Sequence, residues 1–393
     1  MKKIFFVALG ATLLAASCQK TEIINHVPGE SMTFATAMSK LAKASGTSDA
    51  DATDGMLNLQ AQDFKVWAYY TYADPINNIT VGKAYDEMEA LDVTYGATSG
   101  WTTLQDYYWP GTDKSLDFFA VSTKHWPVAE VKDGDQVVTP AVPGVTVNIE
   151  GEGGTIGERS LTVSGYVVDA SNPNDDLMVA EFVRQHQGMN EKKVSLHFNH
   201  ALSKVQFRFT TNTGTDVIKV KSLTVTGLKT SGLLTVSVAG DLVETNGRVP
   251  VELAWTEHGT PADFNDDFDG DLTLEAPEQI VGENGTTTVK KNDKEFATWL
   301  VLPQDITGKT VTIAYDITST TGTRNFTQTF ALTRPAVAEV KEGENVVKEA
   351  KDAFASWDIN QVVVYTINLS PNKITFEPSV EPWDEAENLT DQN

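Results

Sequence analysis

Cys18 is the residue of this sequence that most clearly indicates a covalent modification. It is the single cysteine among 393 residues, and small residues precede it. An apolar run at residues 4–16 follows two lysines and is too short to span a bilayer as a helix, which is typical of a signal peptide. We therefore predict that residues 1–18 form a lipoprotein signal peptide. It ends at a cysteine whose thiol takes a diacylglyceryl group, which gives stable anchoring. An ordinary secretory signal is the alternative.

Two further patterns contain the residue types of metal sites. His197 and His200 are three residues apart in a strand pattern, where the rings would lie on opposite faces, unlike zinc-binding pairs on a helix. The segment 265–271 alternates acidic residues around a glycine, as a calcium loop does, but begins with Asn265, and its closing Glu275 comes one residue early. We interpret the histidines as polar-face residues and the acidic segment as a solvated hairpin loop, with calcium binding as the alternative. No cofactor is predicted.

Eight tryptophans raise the question of a glycan-binding surface. Trp67 and Trp299 lie inside strand patterns and are predicted to be core residues. Trp101, Trp109 and Trp126 flank turns and are the candidates for stacking on a sugar. The sequence contains no Gly-x-Ser-x-Gly motif, P-loop or dinucleotide fingerprint. We therefore predict that the protein is not an enzyme and has no catalytic residue.

The charge balance narrows the range of partners. The chain has 30 basic and 54 acidic residues, a net charge of −24, and loss of the signal peptide removes two of the lysines. Such acidity favours a solvated, repulsive surface and argues against nucleic acid or anionic lipid as a partner. Because the single cysteine is assigned to the lipid, the fold must depend on core burial without an intrachain disulfide.

Short strand patterns separated by turns run along the chain and predict an all-β fold. Phe64–Tyr69 and Leu116–Val121 are rich in aromatic and β-branched residues. The parity of the apolar positions changes across Asn199–Lys204, which predicts a bulge or a break between two strands. Met178–Gln187 fits either a short helix or a strand. The chain length and a boundary near residue 190 predict two domains, at 44–190 and 191–393.

The two ends of the mature chain contain similar extended segments. Residues 19–43 are predicted to be a tether and a first strand, in which Met32, Phe34 and Met38 share one face. Lys40 and Lys43 follow in a small-residue segment that we interpret as protease-accessible. The C-terminal segment also alternates, and its prolines suit a sheet edge. Its predicted donor-strand residues are Ile374, Phe376, Val380 and Trp383.

A first strand that can be cut away, together with a second segment able to occupy its place, is the arrangement that donor-strand polymerisation requires. Main-chain hydrogen bonds would provide affinity, and alternate side chains would fill pockets. A head-to-tail contact of this kind does not close on itself and therefore grows a filament.

Five runs of the sequence form a recognisable set. They are Phe64–Tyr69, Tyr108–Pro110, Leu116–Ala120, Leu196–Lys204 and Ile374–Trp383. Together they resemble the fimbrillin (Mfa-like) family, type V pilus subunits of anaerobic Gram-negative gut and oral bacteria. The resemblance covers nearly the whole mature chain and marks the fold more than any chemical site.

This resemblance implies two transthyretin-like β-sandwich domains in tandem and export as a lipoprotein to the outer membrane. It further implies that an Arg-specific or trypsin-like protease removes the first strand and that a related pilin subunit fills the groove. Family members often have Arg-Ala at the cut, where this chain offers Lys43-Ala44 or Lys40-Leu41. The predicted function is a structural subunit of a cell-surface fimbria. The alternatives are a lipid-anchored adhesin with a host or glycan ligand, or a pilus anchor or tip subunit.

Overall fold

The protein is described by a computed structural model that covers residues 31–38 and 59–382, apart from short gaps. The gaps are 86–87, 112–113, 134–135, 152–155, 190–192, 212–215, 240–246, 257–258, 269–271, 275–277, 282–286, 291–295, 343–344 and 372–373. The described chain is nearly all strand and turn, with a helical turn at residues 59–62 and a 3-10 turn at Ile156–Glu158, so the predicted all-β class is confirmed. Within these ranges no helix is both long and apolar enough to cross a bilayer.

The described residues form thirty strands, β1 to β30 in chain order. They are β1 (Thr33–Met38), β2 (Phe64–Tyr70), β3 (Leu91–Gly96), β4 (Gly100–Thr102), β5 (Ser115–Ser122), β6 (Val131–Asp133), β7 (Gln136–Thr139), β8 (Thr146–Glu150), β9 (Ser160–Ser164), β10 (Met178–Ala180), β11 (Phe182–His186), β12 (Lys193–His200), β13 (Ser203–Thr210), β14 (Val217–Lys229), β15 (Leu233–Val238), β16 (Arg248–Val249), β17 (Val251–Thr256), β18 (Pro261–Asp266), β19 (Leu272–Leu274), β20 (Glu278–Val281), β21 (Thr287–Lys290), β22 (Phe296–Val301), β23 (Gln304–Asp305), β24 (Thr310–Ser319), β25 (Gly322–Ala331), β26 (Val340–Glu342), β27 (Asn345–Lys348), β28 (Ser356–Trp357), β29 (Gln361–Asn368) and β30 (Thr375–Pro382).

The largest sheet has nine strands. Its main path runs β1-β12-β10-β5-β2-β3-β4, while β11 pairs with both β5 and β16. β1 lies at one end of this path and pairs with β12 in parallel, whereas the other pairs in the sheet are antiparallel.

The central strand β5 is buried on both faces of this sheet, between which its side chains alternate. On β5, Phe118 and Ala120 belong to a first core, whereas Phe119 and Val121 belong to a second core. The first core also contains Phe34, Phe64, Leu196 and Phe198. The second core also contains Phe207, Trp299 and Tyr365. β5 therefore reads as a nearly continuous apolar run, as expected of a central strand covered on both sides.

Three further sheets contribute to the second core. Their orders are β22-β13-β29-β30, β18-β14-β24-β25 with β19 beside β14, and β17-β15-β9-β8. β13 and β29 pair in parallel, although about 150 residues separate them, with Phe207 opposite Tyr365. The two rings stack with their centroids 5.2 Å apart. Such long-range pairing joins the middle of the sequence to its C-terminal part in one sheet.

Hydrogen-bonded strand pairs also join the two halves of the sequence. β9 pairs with β15, with Val163 opposite Leu234, and β11 pairs with β16, with Phe182 opposite Val249. Both pairs connect residues on either side of position 190. The described residues therefore form a set of linked sheets, and the division into two tandem transthyretin-like sandwich domains stays a prediction.

Two local predictions can be compared directly with the strands. β12 ends at His200 and β13 begins at Ser203, so the change of parity is a break between two strands. Met178–Gln187 contains β10 and β11, and the helical alternative was wrong. These strands pair with β5 along the middle of the largest sheet, where sheet pairing overrides any helical preference.

Candidate strand-exchange site

β1 occupies one edge of the nine-stranded sheet. Its register with β12 runs from Thr33 opposite Lys193 to Met38 opposite Phe198. A parallel pair is slightly less stable per residue than an antiparallel one, and an edge strand is bonded on one side alone. β1 is therefore held in the sheet mainly by the burial of its apolar side chains.

The apolar face of β1 closes the first core. Met32, Phe34 and Met38 are 6%, 8% and 9% exposed, respectively. The ring of Phe34 packs edge-on against Phe64, with centroids 6.1 Å apart. Burial of a large apolar side chain contributes about 1.5–3 kcal/mol, so these three side chains contribute several kcal/mol together. Removal of β1 would leave an apolar groove beside β12.

Three polar contacts hold β1 and the two residues before it against β4, the opposite end of the sheet path, and against the loop that follows β4. The indole Nε1 of Trp101 in β4 donates to Oγ1 of Thr36 at 2.8 Å. The amide of Met32 donates to the carbonyl of Tyr107 at 2.7 Å, and Ser31 forms a bridge with Tyr108. β4 and the loop that follows it therefore cover the groove from the side away from β12.

β30 occupies an edge of a different sheet. It pairs antiparallel with β29, from Thr375 opposite Asn368 to Pro382 opposite Gln361. The carbonyl of Pro378 accepts a bond from Arg334, so the backbone at this position faces away from β29. Because Pro382 has the same parity, both prolines place their missing N–H groups on the outer side of β30, where a sheet edge tolerates them.

The inner face of β30 is only partly buried. Phe376 stacks between Phe330 and Tyr365, with centroid distances of 5.1 and 5.0 Å. Val380, on the same face, is 42% exposed. On the outer side, Arg334 Nη1 donates to the carbonyl of Pro378 at 2.6 Å. Near its C-terminal end, β30 thus has an apolar side chain, Val380, that its own subunit covers only in part.

The predicted lipid and cleavage residues lie outside the described residues. Cys18, Lys40 and Lys43 belong to this group, as does Trp383 at the end of the donor segment. Lipidation and cleavage therefore remain predictions. The last described residue before the lysines is Met38, at the C-terminal end of β1.

The two histidines do not form a metal site. His200 is buried and its Nδ1 lies 2.6 Å from Oδ2 of Asp176, so its interpretation as a polar-face residue was wrong. His197 is half-buried on the other face of β12, and burial, followed by the charge of Arg248, lowers its pKa to about 4. Within the described ranges, no three His, Cys, Asp or Glu side chains are grouped so that they could hold a metal ion.

The tryptophans divide between the two cores. Trp67 and Trp299 are buried, as predicted. Trp109 is 1% exposed, so its assignment as a sugar-stacking residue was wrong; its indole packs edge-on against Phe118 in the first core, where no sugar could stack on it. Trp101 is half-buried in the first core and Trp126 in the second. These two indoles contact opposite faces of β2, and so they do not form one platform.

The acidic segment begins inside a strand. Asn265 and Asp266 belong to β18 and pair with Thr224 and Leu223 of β14. Burial, followed by the charge of Asp267, raises the pKa of Asp266. Residues 269–271 and Glu275 lie outside the described residues. A calcium loop would need residues 265 and 266 in a loop conformation, so their place in the sheet favours the hairpin interpretation.

Sequence reasoning missed two positions, one beside the edge strand β30 and one on the central strand β5. Arg334 holds the outer side of β30, and Asp117 lies fully buried on β5 with the guanidinium of Arg184 at 2.7 and 2.8 Å. The single Asp inside the otherwise apolar run 116–121 was the available signal for the second position. Nothing in the local sequence around Arg334 indicates its partner, because Pro378 lies 44 residues further on.

This geometry defines an all-β protein whose first and last described strands both lie at sheet edges. The chain belongs to the fimbrillin-like family, whose model matches residues 52–383. That membership supports a role as a fimbrial subunit or adhesin at the cell surface and a structural, non-enzymatic function. β1 lies just before the matched range.

Solved structures and curated proteins give a more distant comparison. A fimbrial protein from Bacteroides vulgatus is 17% identical, with a TM-score of 0.46, over 89% of this chain and 99% of that chain. The C-terminally truncated tip fimbrial protein Mfa3 of Porphyromonas gingivalis is 8% identical, with a TM-score of 0.30, over 82% of this chain and 94% of that one. A search of curated proteins gave no match. The family assignment therefore rests on the family model.

Proposed function

We propose that this protein is a structural subunit of a cell-surface fimbria that is exported as a lipoprotein and polymerises by strand exchange. In this proposal Cys18 carries the lipid at the outer membrane, and a trypsin-like or Arg-specific protease cuts after Lys43 or Lys40. β1 then leaves the groove beside β12, and β30 of another pilin subunit, identical or related, takes its place. Family membership supports the fimbrial role.

The observation that carries the proposal is the matching side-chain order of β1 and β30. In both segments an aromatic ring shares one face with an apolar residue on each side, Met32 and Met38 around Phe34, and Ile374 and Val380 around Phe376. If Phe376 occupies the position of Phe34, the other inward positions also correspond. They pair Ile374 with Met32, Pro378 with Thr36, and Val380 with Met38.

The exchange of β30 for β1 has a favourable contribution from the burial of Val380. Val380 is 42% exposed beside β29, whereas Met38, whose place it would take, is 9% exposed. The transferred Val380 would therefore gain burial, and Phe376 would exchange its contacts with Phe330 and Tyr365 for contacts with the first core. Main-chain bonds to β12 would replace those to β29.

Mild trypsin treatment of the purified mature chain tests this function. We expect a single cut after Lys43 or Lys40 by N-terminal sequencing, followed by a ladder on a gel run without boiling. The double variant Lys40→Gln/Lys43→Gln is the matched control and should remain monomeric. A ladder that persists after deletion of residues 371–393 would exclude β30 as the donor strand.

The same experiment separates the alternative roles. A chain that resists cleavage at both lysines, or that is cut and stays monomeric, would act as a lipid-anchored adhesin or as an anchor subunit. Trp101 and Trp126 contact opposite faces of β2, so these two indoles do not offer one platform to a glycan.

A further inference from the structure

A fourteen-residue segment occurs twice in this chain. Residues 128–141 read VAEVKDGDQVVTPA, and residues 337–350 read VAEVKEGENVVKEA. The two copies are identical at nine of the fourteen positions, and three of the differences exchange Asp for Glu or Gln for Asn. This repeat is distinct from the strands assigned to the exchange.

The two copies also have the same structure. In the first hairpin, formed by β6 and β7, Val131 lies opposite Thr139 and Lys132 opposite Val137, with a register shift between them. The second hairpin, formed by β26 and β27, has the same register and the same shift. Its pairs are Val340 opposite Lys348 and Lys341 opposite Val346. Equivalent bridges, Val128 with Val142 and Val337 with Lys351, close the two bases.

Both hairpins expose apolar side chains at open strand edges. In the first hairpin Val131, Val137 and Val138 are 51%, 48% and 59% exposed, and in the second Val340 and Val346 are 46% and 45% exposed. Each hairpin is a two-stranded sheet that pairs with no further strand of the described chain. An open edge with exposed valines is a template for pairing with another chain.

The first strands of the two hairpins, β6 and β26, are complementary to each other in charge and in apolar character. Each strand begins with Val-Lys directly after a Glu, which gives the order Glu-Val-Lys at residues 130–132 and at residues 339–341. In an antiparallel register, Glu130 lies opposite Lys341, Val131 opposite Val340, and Lys132 opposite Glu339. Two opposite-charge pairs then flank one apolar pair, the combination that stabilises neighbouring strands. Within each hairpin the Glu and Lys already pair at 2.9 Å, and all four side chains remain accessible to solvent.

The positions of the hairpins connect them to the two exchanging strands. The first hairpin follows β5, whose Ser122 lies opposite Met178 at the end of the sheet where β1 finishes. The second hairpin is tied at its base to β30, because Arg334 bonds Pro378 and Lys351 pairs with Glu377 at 3.1 Å. The first hairpin thus follows a strand that lies three positions from β1 in the same sheet, and the second hairpin lies beside the donor strand.

We propose that the two hairpins are a contact between copies of this chain, in which the β6 edge of one subunit pairs with the β26 edge of the next. Its place in head-to-tail growth rests on the proposed function. The contact is small, and it contributes by holding β30 of the incoming subunit near the groove, where a second binding event becomes effectively intramolecular.

Disulfide trapping in the uncleaved mature chain tests the contact. The chain from residue 19 onward contains no cysteine, so single cysteines can be introduced cleanly. A Val131→Cys protein mixed with a Val340→Cys protein should give the mixed dimer under mild oxidation, as read on a non-reducing gel. Val217→Cys, at a valine that is also exposed (44%), is the matched control partner for Val131→Cys. Equal trapping with that control would overturn the proposal.

A charge exchange with rescue identifies the register. Adding Glu339→Lys/Lys341→Glu to the Val340→Cys protein keeps the ion pair within that hairpin but places like charges across the interface. We expect about tenfold less mixed dimer. Adding Glu130→Lys/Lys132→Glu to the Val131→Cys protein restores opposite charges, and the yield should return. An unchanged yield in the first mixture, or no return in the second, would overturn the proposal.

This result is separable from the test of strand exchange. No protease is present, so trapping reports the hairpins alone. Disulfide trapping without a ladder after trypsin would support the hairpin contact and contradict strand exchange. A ladder without trapping would leave strand exchange standing and remove the hairpin contact.

Discussion

Arg334 and Pro378 are joined by a hydrogen bond of 2.6 Å from Nη1 of the guanidinium to the proline carbonyl. Nη2 of the same group donates to the carbonyl of Asp352 at 3.1 Å. One side chain thus ties the outer side of β30 to the base of the second hairpin. β30 carries no strand on that side in the described chain, so Arg334 is positioned to control how readily it detaches.

Arg334→Gln should loosen β30. The loss of charged hydrogen bonds to carbonyls costs about 1.5–3 kcal/mol. We expect a fall of that size in the free energy of unfolding, and faster amide exchange in β29 because β30 opens more often. Lys351→Gln is the matched control, since its pair with Glu377 is solvent-exposed and should contribute under about 1 kcal/mol. Equal effects of the two variants would contradict a specific role for Arg334.

Phe34→Ala should weaken the hold of the sheet on β1. The ring is 8% exposed and packs on Phe64, and truncation of a buried Phe costs about 3–5 kcal/mol. After cleavage at the lysines, the truncated strand should leave the groove faster than the natural one, as followed by mass spectrometry of the released peptide. Thr33→Ala, at the exposed neighbouring position, should change neither the free energy of unfolding nor the rate of strand release appreciably.

Asp117→Asn should destabilise the nine-stranded sheet strongly. Asp117 is fully buried and accepts two bonds from Arg184, and Nε of the buried Arg159 lies 3.7 Å away. Neutralising this carboxylate leaves buried positive charge without its partner, at a cost of about 3–5 kcal/mol. Denaturation in urea measures the change. Asp92→Asn removes the exposed pair with Lys65 and should cost under about 1 kcal/mol; a comparable loss there would contradict the argument from burial.

Stability should depend on pH through His197. Burial lowers its pKa to about 4 in the folded chain, whereas an unfolded histidine has a pKa near 6.5. The unfolded chain takes up the proton first, so this contribution is complete above pH 6.5 and is lost as the pH falls towards 4. Because the ring is only half-buried and solvent screens it, we expect about 1–2 kcal/mol. His197→Gln should flatten the slope of unfolding free energy between pH 6.5 and 4; an unchanged slope would contradict it.

Local patterns predicted the strands well where apolar residues alternate with a period of two along the whole strand. Alternation over residues 32–38 and 374–382 indicated β1 and β30, and the parity change at Asn199–Lys204 indicated the break between β12 and β13. The repeated hairpin could also be detected in the sequence, because its two copies are identical at nine of fourteen positions. It was missed because each copy alone looks like a polar turn between short strands.

Burial of individual side chains was less predictable. Trp109 stands before a Pro-Gly turn and resembles an exposed aromatic residue, yet it is 1% exposed. His200 follows a polar Asn and yet lies buried against Asp176. In both cases the side chain is covered by a residue of another segment, Phe118 for Trp109 and Asp176 for His200, and a local pattern contains no information about such contacts.

The sequence by itself determined that this chain forms strands, which faces of β1 and β30 are apolar, and that prolines place β30 at an edge. The tertiary structure alone decided that β1 pairs in parallel with β12, that β9 and β11 bond to strands beyond residue 190, and that Arg334 reaches Pro378. The reason is physical. A period of two reports how side chains are divided between the faces of a strand, whereas the choice of neighbour depends on burial and hydrogen bonding across the whole sheet.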